Sequence, residues 1–219
     1  MGFNMVKIAF FAALLAPALV YGPAYGGVAD TDKPATGQQN KEEARPPLSA
    51  RAVEFVRQYE VYKSSPNAPA AQLDYLKAFP SNASAFQKLF AMDDFSELYD
   101  ESDKYIFLLK DIAEKQPDTT SKLYISLIKE GPPNCCDAWS YLRDDVSEFY
   151  KVKGKDLALR LESLTAEQQL NVIHFITDME NDEIRAEDCA HFAGELRKLK
   201  KEKLARLFEG VCRIRIPHD

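Results

Sequence analysis

Three histidines and four cysteines are spread over 219 residues, and beyond residue 26 no stretch strings together more than a few apolar side chains. Each scarcity removes a class of function. With only His174, His191 and His218, and with no GxSxG elbow, there is no histidine placed to activate a neighbouring Ser or Cys as a nucleophile. The cysteines lack the CxxC-type spacing that a zinc site needs. Without a second long apolar run the chain after residue 26 has nothing that spans a bilayer. Positive charge is not in excess: 28 Lys and Arg stand against 34 Asp and Glu, for a formal net charge of −6. Such a balance gives no general affinity for nucleic acid or an anionic membrane, and the one basic stretch holds few aromatics to stack on bases. Period-two alternation is rare, which argues against a sheet.

What is present begins with a three-zone leader. Met1 to Lys7 is short and carries one positive charge, Ile8 to Val20 (IAFFAALLAPALV) is uncharged and apolar, and Tyr21 to Gly26 is rich in small residues. That order reads as a signal peptide over 1–26, cut after Gly26 or Ala29. Its apolar run would rise about 20 Å as a helix, short of the roughly 30 Å hydrocarbon core. No cysteine lies near either cut, so no lipid anchor is expected. Residues 27–48 (GVADTDKPATGQQNKEEARPPL) offer almost nothing to bury and read as a disordered linker. A single α-helical domain is expected over 49–212, followed by a short tail at 213–219. The expected address is periplasmic or extracellular, in soluble form.

Cysteines in an exported chain point to disulfides. A bond between adjacent Cys135 and Cys136 would be strained because their Cβ vectors diverge. Two pairings follow: Cys135 with Cys189 and Cys136 with Cys212, or Cys135 with Cys212 and Cys136 with Cys189. Either would tie the C-terminal part of the domain to the middle of the chain.

From Ser49 onward apolar residues recur at steps of three and four, and Pro, Ser and Asp punctuate them. Ser49 caps a helix over Ala50–Lys63, and Pro69 precedes one over Ala70–Phe79. Another begins at Ser81 and runs through Phe90, and a short turn covers Phe95–Tyr99. Ser102 is expected to cap Asp103–Glu114, and Pro117-Asp118 to start Thr119–Glu130. Cys135–Lys151 carries Ala138, Trp139, Leu142, Val146, Phe149 and Tyr150; Gly154 interrupts it, and Asp156 opens Leu157–Leu164. Thr165 and Gln168 make a capping box ahead of Ala166–Glu180. A last helical stretch runs over Glu187–Glu209. The apolar run Leu123–Ile128 is the one place a strand could sit, though its flanks favour helix. The expectation is an all-α fold, an irregular bundle of eight or nine short helices.

Candidate chemistry is thin, and no catalytic, cofactor or metal residue is assigned. Glu187, His191 and Glu195 stand at i, i+4, i+8, and His174 and Asp178 at i, i+4, a spacing that binds divalent metal when it faces a bundle interior. On a helical wheel His191 lies about 130° from the buried face defined by Cys189, Phe192, Leu196 and Leu199. These groups are therefore expected on solvated faces. The acidic run Asp93, Asp94, Glu97, Asp100, Glu101 and Asp103 lacks the central Gly of a calcium loop.

Charge is better organised than catalysis. Nine acidic and three basic residues lie between Asp93 and Asp118, whereas eight basic residues (Arg197, Lys198, Lys200, Lys201, Lys203, Arg206, Arg213, Arg215) face Glu202 and Glu209 near the C-terminus. Either the two regions meet within the fold, or one of them docks an oppositely charged partner protein.

The segments Leu76-Lys77-Ala78-Phe79-Pro80, Phe86, Phe90, Leu98-Tyr99 and Tyr105-Ile106, with Asp137-Ala138 and Tyr141-Leu142 later on, resemble a pattern of uncharacterised secreted or periplasmic helical proteins of Gram-negative bacteria. The resemblance covers about 70 to 180. It implies an all-helical bacterial domain and supplies no activity or site. The function expected from the sequence is a non-enzymatic interaction module, an immunity-like or chaperone-like binder that uses an acidic surface. The alternative is a hydrolase or metal-dependent enzyme whose carboxylates and histidines converge only in three dimensions.

Overall fold

The computed structural model describes residues 47–90, 96–131, 136–178 and 182–213. The leader, nearly all of the linker, Asp93, Asp94, Cys135, Arg215 and His218 lie outside the described residues. The fold is all-α, with no strand among the described residues. Its helices are α1 (Ala50–Ser64), α2 (Pro69–Ala78), α3 (Ala83–Phe90), α4 (Ser102–Ile106), α5 (Leu108–Lys115), α6 (Pro117–Ile128), α7 (Asp137–Leu161), α8 (Ala166–Thr177), α9 (Asp182–Lys198) and α10 (Glu202–Arg213). A 3-10 turn, Tyr99–Glu101, leads into α4.

Helix boundaries follow local chemistry where a side chain or a proline sets them. Ser49 caps α1 by accepting from the Ala52 N–H, and its own hydroxyl donates to Glu97 Oε1 at 2.8 Å. Pro69 and Pro117 sit in the first turns of α2 and α6, where a missing N–H costs nothing. The capping box of Thr165 and Gln168 is formed at the head of α8. Gly131, with φ of +73°, ends the chain's run through α6 in the left-handed region that a glycine enters without strain. Leu123–Ile128 is helix, as its flanks indicated.

Four boundaries depart from the sequence reading. Ser102 does not cap a helix over 103–114; it is buried inside α4, and the helix breaks at Phe107 into α4 and α5. Phe107 itself keeps right-handed helical dihedrals (φ −61°, ψ −19°), and Tyr105, Ile106, Leu109, Ile112 and Ala113 still share one buried helical face. Residues 137–161 are two helical runs joined across a kink at Lys153 (φ −126°, ψ 32°), one residue before the interruption expected at Gly154, and the second run ends at Leu161 rather than Leu164. The expected continuous stretch over Glu187–Glu209 is instead a hairpin of α9 and α10. Its turn is closed by Lys200 at φ +60°, with the Lys200 N–H on Arg197 O and the Lys201 N–H on Leu196 O. Finally, α8 stops at Thr177 rather than reaching Glu180.

The core is unusually aromatic in its first half. The Phe55 ring of α1 lies within 5.2 to 5.7 Å of Tyr75, Phe79, Phe90 and Tyr105. Such pairs contribute about 0.5–1.5 kcal/mol each beyond their area burial. Tyr75 satisfies its buried hydroxyl by donating to the Tyr105 carbonyl at 2.7 Å. Trp139 of α7 then joins Phe86 of α3 to Phe175 of α8. Farther along α7, Tyr150 packs on Phe192 of α9 and Phe208 of α10. Thus α7 touches both halves of the domain and is the element around which the rest is arranged.

The disulfide pairing is a correction. Cys189 is bonded to Cys212, with Cα atoms 6.3 Å apart. Neither expected pairing, each of which joined Cys189 and Cys212 to Cys135 or Cys136, is the one formed. The α9–α10 turn was missed, and that turn is what brings the two cysteines face to face. The bond therefore staples the hairpin to itself rather than to the middle of the chain. Cys136 stands half-buried just ahead of α7, packed against the core.

Candidate functional site

Helical periodicity carries one carboxylate into the core. The buried stripe of α7 includes Ala138, Trp139, Leu142, Val146 and Phe149, and Asp145 falls on it three residues after Leu142. Asp145 is only 3% exposed. Tyr124 of α6, fully buried, donates its hydroxyl to Asp145 Oδ2. The other oxygen, Oδ1, is buried without a partner. Burial raises the Asp145 carboxyl from the usual aspartate range to about 7; the Tyr124 hydrogen bond and the Lys110 ammonium oppose the rise, and Asp111 and Asp144 add to it. Burial and the neighbouring carboxylate likewise hold the Tyr124 phenol well above its ordinary value.

Asp145 lines a cleft of about 50 Å³ between α5 and α7. Ala113, Phe149 and Val152 make its apolar walls, and Glu114 and Glu148 stand with them. Lys110 and Lys153 are the positive charges in the same lining. At that volume the cleft exceeds several-fold the roughly 10–15 Å³ that a single water needs.

Further exposed groups stand on α5 and α7 beside the cleft. At the break between α4 and α5, Phe107 is 49% exposed and sets its ring edge-on against Tyr141 of α7, centroids 5.3 Å apart. On α5, Asp111 and Glu114 stand one and two turns beyond Phe107; on α7, Asp144 and Glu148 stand one and two turns beyond Tyr141. All four carboxylates are exposed. Val152 follows on α7 at 71% exposure. Exposed apolar groups thus flank a stretch whose acids outnumber its lysines.

The residues weighed from sequence are not gathered here. Glu187 and His191 are exposed on α9, and Glu195 pairs with Lys198 at 2.5 Å. His174 and Asp178, expected on a solvated face, are both half-buried. Asp178 turns to Arg143 of α7 at 3.3 Å, whose guanidinium lies over the Phe175 ring, and His174 Nδ1 is buried without a hydrogen-bond partner. Among the described residues no three His, Cys, Asp or Glu side chains converge as a metal-binding group. The basic stretch is engaged near home. Arg197 grips Glu209 with two nitrogens at 2.8 and 2.9 Å and also meets Glu202, while Arg206 meets Glu202 and Lys201 meets Glu162. The acidic stretch has basic partners of its own: Asp118 pairs with Lys122 and Arg160 outside it, and Glu101 with Lys104 within it.

Asp145 was missed from sequence, although a signal exists: an acidic residue standing at helical spacing inside an apolar stripe. The Phe107 break and the α5–α7 juxtaposition left no such mark. Among the described residues no helix is long and apolar enough to cross a membrane. Compared with known proteins, the chain matches no family model, no curated protein and no solved structure, so the groove stands on its own geometry.

Proposed function

We propose that this protein is an exported, non-catalytic helical binding module that takes a basic segment of a partner protein along the α5–α7 groove. One observation carries the reading: Asp111 and Glu114 of α5 and Asp144 and Glu148 of α7 lie exposed, Glu114 and Glu148 in one cleft lining, with Phe107 and Val152 also exposed. Apolar anchors flanking a stretch in which acids outnumber lysines, with Asp111, Glu114 and Asp144 exposed beside a Glu148 that meets Lys151 at 3.1 Å, fit an amphipathic, lysine- or arginine-bearing helix. The C-terminal basic stretch is a poorer docking face, because Arg197, Lys198, Lys201 and Arg206 already have carboxylate partners. Export rests on the leader sequence, and a disulfide at Cys189–Cys212 is consistent with an oxidising compartment. The competing enzymatic reading has Asp145 as its single support, a carboxyl held near neutrality beside a cleft.

The test is a titration of the protein with a synthetic amphipathic Lys/Leu peptide, followed by amide NMR at low ionic strength. Shifts are expected along 107–114 and 141–152. Neutralising the banks (Asp111→Asn, Glu114→Gln, Asp144→Asn, Glu148→Gln together) is expected to weaken binding at least tenfold, and raising salt is expected to do the same to the unaltered protein. Shifts that map elsewhere, or affinity that ignores the four changes, would sink the reading.

A further inference from the structure

We infer that Asp145 is a proton-operated latch on the α5–α7 seam: a protonated carboxyl keeps α5 shut against α7, and loss of that proton lets α5 swing out and water reach the charge. The sealing of the carboxyl carries the inference. Asp145 is 3% exposed, its Oδ1 is closed off from water and has no protein partner, and its Oδ2 has the Tyr124 hydroxyl. A neutral carboxyl is tolerated in such a site. A carboxylate there has one neutral hydrogen bond to offset the loss of its hydration. The shortest route by which water can restore that hydration runs beside α5. The cleft of about 50 Å³ between α5 and α7 stops short of Oδ1 but has Asp145 in its lining. The helix on that side is weakly held: α5 is eight residues long, and Leu109, Ile112 and Ala113 are its buried side chains. By contrast α6 buries seven of its twelve residues, Tyr124 among them, so the phenol side of the carboxyl stays in place.

The groups around Asp145 fix the sign of the response. Lys110, Asp111 and Glu114 come from α5, Tyr124 from α6, Tyr75 from α2, and Asp144, Glu148 and Lys153 from α7. With the seam closed, burial outweighs the Tyr124 hydrogen bond and Lys110, and the carboxyl titrates at about 7. With the seam open the group is hydrated and returns to the ordinary aspartate range. Below both values the proton is bound in either state, and opening does not respond to pH. Between them only the open state releases the proton, so opening grows by up to tenfold per pH unit, and above about 7 it levels off. Glu114 and Glu148 stand on opposite sides of the seam, so its opening also spreads the face offered to a partner.

The test is hydrogen exchange of the full chain with millisecond labelling between pH 5 and 8, each rate divided by that of an unstructured amide at the same pH. Amides of 112–116 are expected to open up to tenfold more per pH unit from 5 to 7, then level off, and to be insensitive to low denaturant. The Asp145 carboxyl carbon, followed by NMR, is expected to titrate where they level. Asp145→Asn, which keeps an acceptor for Tyr124, should flatten the profile, and Asp111→Asn at an exposed position should leave its slope. An opening of α5 that does not change with pH overturns the latch. So does a pH dependence confined to amides whose exchange rises steeply with denaturant, because that is unfolding of the whole domain. Both results come from the unaltered protein, so they decide the matter even if Asp145→Asn does not fold. If that variant folds and keeps the slope, the latch falls as well.

Discussion

The two ends of this domain are held by different chemistry. Around α1–α4 the cohesion is aromatic: Phe55 sits amid Tyr75, Phe79, Phe90 and Tyr105, and the one polar demand inside, the Tyr75 hydroxyl, is met by a backbone carbonyl. In the α9–α10 hairpin the apolar contribution is smaller, centred on Phe192 and Phe208 against Tyr150, and it is supplemented by a disulfide and by Arg197 astride Glu202 and Glu209. The difference is one of how much surface each end can hide. A segment that wraps several helices around one ring needs no covalent help, whereas two helices lying on the flank of a third do.

The comparison breaks most severely at Phe55. Phe55→Ala removes a fully buried ring that four others contact, and should cost about 3–5 kcal/mol in denaturant unfolding. A cost under 1 kcal/mol would mean the aromatic cluster is not what holds that end. Next comes the staple. Cys189→Ala with Cys212→Ala opens a loop of sequence separation 23 and should cost about 3 kcal/mol, or roughly 6–12 °C in thermal midpoint. Proteolysis of the doubly substituted protein should begin in the hairpin and leave α1–α6 intact.

Between the two ends lies Asp145, whose contribution runs opposite to that of an ordinary paired carboxylate. Its folded value of about 7 exceeds the unfolded one, so the folded state binds the extra proton and stability falls as pH rises. From pH 5 to 7 the loss attributable to this residue should be about 2 kcal/mol, since a tenfold difference in proton affinity between the two states corresponds to ~1.4 kcal/mol. In Asp145→Asn the chemical-denaturation midpoint should lose that slope; an unchanged slope would remove Asp145 as its source. A smaller effect of opposite sign is expected at the hairpin turn. Lys200→Gly relieves a left-handed residue and should stabilise by about 1 kcal/mol. Smallest of all is Arg197→Ala: its ion pairs are exposed, so the midpoint should move little, and less still at high salt.

Much of the helix order was legible in the sequence because prolines, capping serines and apolar spacing act over four or five residues. Ser49, Pro69, Pro117 and the Thr165–Gln168 box each act locally, and each stands where its helix begins. The breaks were not legible, because they answer to distant surfaces. Phe107 divides α4 from α5 while keeping helical dihedrals, and nothing in its neighbours marks the division. Lys200 occupies a position where glycine is the usual signal, so the turn was hidden, and with it the Cys189–Cys212 partnership. The charge segregation was visible, but which charges are already spoken for depended on the hairpin. The acidic banks of the groove come from two helices some thirty residues apart, a juxtaposition that only the fold makes.

The kink in α7 bears on how the domain comes apart. An unbroken helix of 25 residues would transmit fraying from one end to the other through a continuous ladder of amide bonds. The departure at Lys153 interrupts that ladder at the edge of the cleft, after the turn in which Tyr150 packs on Phe192 and Phe208 and before the turns that continue to Leu161. Deuterium uptake should therefore divide at this point, with amides after 153 exchanging ahead of those before it. The break would then act as a firewall, letting the last turns of α7 breathe while the turn that carries Tyr150 keeps its hold on the hairpin.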